Sequence, residues 1–144
     1  MARRDKIHGA VRRALEKANW LVTDDPLKVY LLDDPDKYFE IDLGAEYLLG
    51  AEKEGERIAV EIKSFSSSIL NDFHEALGQF LDYRSALKEN EANQDRTLFL
   101  AVSEQAYDEI NAIGFMKRRI EEYGLNFLIV DIAEENIVEW KEHN

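Results

Sequence analysis

Glu61 and Lys63 stand one residue apart inside an apolar run, Ala59-Val60-Glu61-Ile62-Lys63. Side chains alternate faces along an extended strand, so these two share one. Ala59 on that face is apolar, which places the charges at the strand's far end. A carboxylate beside an ammonium at a strand end suits a divalent cation and a reacting water. The carboxylate binds the ion, and the lysine orients or deprotonates the water or stabilises developing charge. One carboxylate is a poor magnesium site, because the ion surrounds itself with oxygen, usually with one or two carboxylates among its ligands. The preceding segment offers Asp42 and Glu46, whose even spacing gives them a common face with Gly44 between them. Glycine there leaves room beside Asp42 for a metal or substrate. Glu46 fits equally a support for a metal ligand or a structural hydrogen bond.

These residues need elements to hold them. Asp5 to Asn19 reads as a helix with Ile7, Ala10, Val11, Ala14, Leu15 and Ala18 on one stripe. Arg3, Arg4, Lys6, Arg12, Arg13 and Lys17 surround it as the one basic cluster. Short strands are predicted at Trp20 to Thr23 and Val29 to Leu32, with turns at Asp25-Pro26 and Asp34-Pro35. Tyr38 to Leu49 and Arg57 to Phe65 read as strands of a hairpin joined through Glu52 to Glu56. With Gly55 as the hairpin centre, Asp42 meets Glu61 only if a bulge or bend intervenes, marked by Gly50 or Gly44. Ile69 to Lys88 is a second helix with Phe73, Ala76, Leu77, Phe80 and Leu87 as its core stripe. Thr97 to Val102 is a buried strand. Ser103 caps a helix to Asn111, and Phe115 to Tyr123 is a helix stopped by Gly124. Asn126 to Ile132 is a second buried strand, and Ile137 to Trp140 an edge strand. A hairpin followed by strands alternating with helices predicts a mixed α/β sheet with helices on both faces.

The chain has 144 residues, which predicts one domain spanning 1–144. Without cysteine it has no disulfide, thiolate metal site or cysteine nucleophile. No apolar run reaches the ~20 residues of a membrane span, and the basic start lacks the pattern of a signal peptide, so the expected compartment is the cytoplasm. His8, His74 and His143 are too dispersed for a zinc site. His8 reads as a partly buried structural histidine or a site-lining one. Ser64, Ser66, Ser67 and Ser68 read as a loop and helix cap or as the wall of a DNA groove. Pro35-Asp36 lies in an acidic turn with no strand to aim it. The net charge of −12 argues against strong unaided DNA binding, since phosphate neutralisation supplies most of such affinity.

Asp42 followed by Glu61-x-Lys63 resembles the PD-(D/E)xK nuclease superfamily, and Gln79-x-x-x-Tyr83 is similar to a motif of its RecB-like members. The resemblance implies a restriction-endonuclease-like fold. It also implies that Asp42, Glu61 and the Ile62 carbonyl hold magnesium or manganese, that Lys63 acts on the water, and that Gln79 and Tyr83 position Lys63 or a DNA strand. Ile7 to Val11, Ile41 to Glu46, Ala59 to Phe65, Ala76 to Arg84, Leu98 to Val102 and Ile137 to Trp140 together resemble the XisH family. These are cyanobacterial fdxN element excision controlling factors. That likeness implies an accessory role in programmed DNA excision during heterocyst development, with a XisI-like partner protein and a separate recombinase. Two expectations stand side by side. One is a magnesium-dependent endonuclease. The other is an accessory factor that keeps the fold and the metal site but works through protein partners, touches DNA with their help, and self-associates.

Overall fold

A computed structural model describes residues 3–47, 55–65 and 68–143, with side chains described from residue 6 onward. The elements are α1 (Arg3–Lys17), β1 (Leu21–Asp24), β2 (Leu27–Tyr30), β3 (Tyr38–Ile41), β4 (Leu43–Tyr47), β5 (Glu56–Ile62) and α2 (Ile69–Glu89). They continue with β6 (Thr97–Ser103), α3 (Glu104–Asn111), α4 (Gly114–Tyr123), β7 (Phe127–Asp131) and β8 (Asn136–Lys141).

Six strands form one mixed sheet in the order β1-β4-β5-β6-β7-β8, and β2 with β3 forms a separate ribbon. β5, β6 and β7 run parallel, and their neighbours pair antiparallel. Parallel strands need crossover connections, and α2 and the α3–α4 pair supply them. Strands covered on both faces are apolar throughout, as Leu98 to Val102 are. Alternation sorts those side chains. Ala59, Leu98, Leu100, Val102, Phe127 and Ile129 face the layer of α2, α3 and α4. Ile58, Val60, Phe99, Ala101, Leu128 and Val130 face α1 through Val11, Ala14 and Leu15.

The caps read from sequence are present. Ser68 and Ser103 accept from the amides of Asn71 and Ala106, and Gly124 ends α4 in the left-handed conformation at φ 64°. One expected strand is broken. Tyr38 to Leu49 divides at Asp42 into β3, which pairs with β2, and β4, which joins the main sheet. Residues 48 and 49, and most of the expected hairpin loop, lie outside the described residues.

The expected bulge is also corrected. The β4–β5 register runs unbroken from Leu43 opposite Val60 to Tyr47 opposite Glu56. That register centres the connection several residues before Gly55, so no extra residue is needed at Gly44. Gly50 lies outside the described residues.

Candidate functional site

The bend at Asp42 places its carboxylate at the carboxyl end of β5. The ladder stops at Leu43–Val60, and Asp42 comes next, beside Glu61. Its amide donates to Glu61 Oε1 at 3.2 Å, and its Oδ2 accepts from the Ile62 amide at 2.8 Å. The two carboxylate residues are thus tied to each other's strand. The Lys63 amide donates to the Ala101 carbonyl on β6. By strand alternation the Ile62 carbonyl points the other way, toward the Asp42 side. Lys63 Nζ lies 3.4 Å from Glu61 Oε2.

Glu61 and Ala59 face α2, so the charged end of β5 lies under that helix. The cavity between them holds about 370 Å³ and is lined by Asp42, Glu61, Ile62, Lys63, Gln79 and Tyr83, all the residues singled out from sequence. Gln79 Oε1 is buried and has no hydrogen-bond partner among the described residues, while the Tyr83 ring packs against Phe39 of β3 at 5.2 Å. Glu40, Asp72 and Glu75 also line the cavity, and Lys63 is the one cation among its described lining residues. Sequence reasoning missed these three carboxylates. The signal was present: Asp72, Glu75, Gln79 and Tyr83 recur at helical spacing along one flank of α2, and Glu40 is two residues before Asp42.

Glu61 is 5% exposed. Burial first, and the Asp42 charge second, push its carboxyl from the usual 4.5 up to about 7, with Lys63 opposing both. This has a consequence for stability. The folded chain holds the Glu61 proton more tightly than the unfolded chain does. The stabilising contribution of neutral Glu61 is therefore complete below about pH 4.5 and is lost as the pH rises through about 7. Glu61→Gln removes the titration. Without divalent cation, urea unfolding should show the variant gaining on the wild type by about 3 kcal/mol between acid and mildly alkaline pH, at about 1.4 kcal/mol per unit. Parallel stability profiles for the two proteins would show that Glu61 is not held in this way.

Two carboxylates, one with its charge opposed by burial, and a backbone carbonyl facing them fit a magnesium or manganese ion, whose usual protein share is one or two carboxylates. Among the described residues no group of three or more carboxylate or imidazole side chains is arranged around an ion. The donor set therefore suits an ion completed by water and phosphate rather than one enclosed by protein.

Other expectations are decided by the packing. Gly44 shares the expected face, but Arg96 fills the space beside it: a Cβ there would lie 3.0 Å from Arg96 Nη1 and 3.1 Å from Asp24 Oδ2. Glu46 takes the structural role, accepting from Arg57 Nε at 3.2 Å. His8 is structural too, with Nε2 2.8 Å from Asp25 Oδ1, and His74 is exposed. His143 is anchored through Nδ1 to the Leu125 carbonyl. Part of the basic face of α1 is internally paired. Arg12 reaches Asp25 and Glu16, Arg13 reaches Glu135, and Lys17 donates to the Glu134 carbonyl. The side chains of Arg3 and Arg4 lie outside the described residues. No helix among the described residues is long and apolar enough to cross a membrane.

Comparison with known proteins agrees with this architecture. Residues 1–138 match the model of the XisH protein family. The crystal structure of an XisH family protein from Nostoc punctiforme PCC 73102 is similar at 38% identity and a TM-score of 0.82, over 96% of this chain and 100% of that one. That of an fdxN element excision controlling factor protein from Anabaena variabilis is similar at 37% identity and a TM-score of 0.81, over 96% and 99%. No curated protein matches.

Proposed function

The chain belongs to the XisH family, and from that premise we propose that it controls the excision of a DNA element, as the Anabaena variabilis relative is named for doing, and keeps a divalent-metal phosphodiesterase site of the PD-(D/E)xK kind. The observation that carries the second part is the meeting of Asp42 and Glu61 at one sheet end with Lys63 beside them. Asp42, Glu61 and the Ile62 carbonyl would hold the ion. Bound there, magnesium or manganese would polarise a phosphoryl oxygen and favour ionisation of a water. Lys63 would orient or deprotonate the attacking water. The unpartnered Gln79 Oε1 would accept from Lys63 or from a nucleobase amino group, and Tyr83, packed on Phe39, would fix the helix flank that presents it. Cleavage of plasmid and single-stranded DNA in magnesium, by the chain alone and with its partner, tests this. Absence of cleavage in both, together with magnesium titration calorimetry showing no binding, would leave excision control without the nuclease site.

The charge distribution favours action through a partner. The net charge is −12, and two of the α1 arginines that would form a DNA patch, Arg12 and Arg13, are engaged with carboxylates. Long-range electrostatics therefore oppose approach to a polyanion. A XisI-like protein that covers acidic surface and extends a basic groove would correct this. Fluorescence anisotropy over a salt series should show weak, steeply salt-sensitive DNA binding by the chain alone and tighter binding with the partner. Tight binding by the chain alone that persists at high salt would instead favour an autonomous endonuclease.

A further inference from the structure

On the opposite face of the sheet, four aromatic rings run in series at the α1 end. Tyr47 of β4 lies 5.3 Å from Trp20, Trp20 lies 5.5 Å from Trp140 of β8, and Trp140 meets Phe99 of β6 edge-on at 4.9 Å. Together with Ile58 and Ala18 they wall a cavity of about 400 Å³, and Glu56 and Glu142 complete its lining. Each feature favours positive charge. Aromatic faces carry negative potential and attract a cation set within about 6 Å of the ring centre. The two carboxylates are exposed at the mouth. Ala18 directly follows the last residue of α1, so the negative end of that helix's dipole abuts the wall.

Among the described residues, the cations nearby in sequence are turned elsewhere. Lys17 donates to the Glu134 carbonyl, Lys141 pairs with Glu139 at 3.0 Å, and Arg57 reaches Glu46 and Asp95. No cation among the described residues lines the cavity itself. We propose that the cavity walled by Trp20, Tyr47, Phe99 and Trp140 and edged by Glu56 and Glu142 binds an organic cation, an alkylammonium or guanidinium head group. Its chemistry is that of a lysine or arginine side chain offered by a protein partner, and a free amine shares it. The site is separate from the carboxylate cavity under α2, and it stands whether or not that cavity cleaves DNA.

Trp20 and Trp140 are the two tryptophans of the chain, and both line this cavity, so intrinsic fluorescence reports on it. The probes are tetramethylammonium as a free amine and acetyl-arginine amide and acetyl-lysine amide as side-chain mimics. The uncharged control for tetramethylammonium is neopentane, presented as its soluble alcohol. Saturable quenching or shift is expected with the cations, and tighter binding of the side-chain mimics than of tetramethylammonium assigns the site to a partner's residue. The reverse order assigns it to a free amine. Glu56→Gln with Glu142→Gln should weaken cation binding about tenfold while leaving the circular dichroism spectrum unchanged, since both side chains are exposed. A linear response to every probe, or equal binding of the neutral control, would overturn the proposal.

Discussion

Replacing Lys63 with Met should lower magnesium-dependent DNA cleavage by about 10²–10⁴-fold, the range lost when a positioned acid–base group is removed. Among the described residues Lys63 is the one cation on the wall of a cavity lined by five carboxylates. Its side chain is 19% exposed and sits 3.4 Å from Glu61, so Met keeps the stem packed and removes only the charge. Asp42→Asn should fall by a similar factor for a different reason. The amide oxygen can still accept from the Ile62 amide, so the bend survives, while the negative charge that would hold the ion is gone. The two variants then separate in calorimetry. Asp42→Asn should lose most magnesium binding, whereas Lys63→Met should retain or improve it, because a competing positive charge has left. Asp42→Asn should also be no less stable than the wild type without metal, since the Asp42 charge opposes ionisation of Glu61. Wild-type rates in both variants would remove this cavity from the chemistry.

The second large effect is on stability. Arg96→Met should cost about 2–4 kcal/mol, at about 1–3 kcal/mol for a buried acceptor that loses its donor together with the lost packing. The Arg96 side chain is 3% exposed. Its guanidinium donates to the Ile58 carbonyl at 2.8 Å, to Asn93 Oδ1 at 2.7 Å and to Asp24 Oδ2 at 3.3 Å. Burial pushes its pKa down, and the carboxylates of Asp24, Glu46 and Asp95 oppose that fall. Truncation takes the guanidinium donors from Asn93 Oδ1 and the Ile58 carbonyl and opens a void over Gly44. Adding Gly44→Ala should recover part of the loss, although alone it crowds the guanidinium and destabilises. That non-additivity, read from urea midpoints of the two single variants and the double variant, identifies direct contact. A cost below about 1 kcal/mol would place Arg96 at an ordinary surface site.

The mixed sheet flanked by helices and the convergence on Glu61 were legible because they depend on period-two alternation and on strands interleaved with helices, which survive in a single sequence. The α2 residues Gln79 and Tyr83 were legible because four-residue spacing fixes a helix flank. The break at Asp42 was harder to read. Tyr38 to Tyr47 keeps an extended pattern throughout, and only the pairing of β3 with β2, a long-range choice, splits it. Gly44 misled because sequence reveals that a side chain is missing but not which distant one fills the gap. Arg96, 52 positions later, carried no local sign of burial. Arg12 and Arg13 of α1 likewise read as part of an open basic face, since Asp25 and Glu135, which pair with them, arrive from elsewhere in the chain.

The outer ladders of the sheet both contain a register irregularity, between Val22 and Asp24 at the β1 border and between Ile129 and Val130 at the β8 border. An irregular border presents its amides and carbonyls out of step with a flat incoming strand, and Glu139 and Lys141 add charge at the β8 side. The folded chain is therefore a poor template for runaway strand addition, although Leu21 and Val138 are exposed there. The hazardous segment is instead Thr97-Leu98-Phe99-Leu100-Ala101-Val102, uncharged, proline-free and rich in β-forming residues. It lies in the middle of the sheet, paired on both sides and covered on both faces. Precipitation should therefore follow the fraction of chains unfolded rather than total protein concentration, and whatever stabilises the native state should also keep the protein in solution.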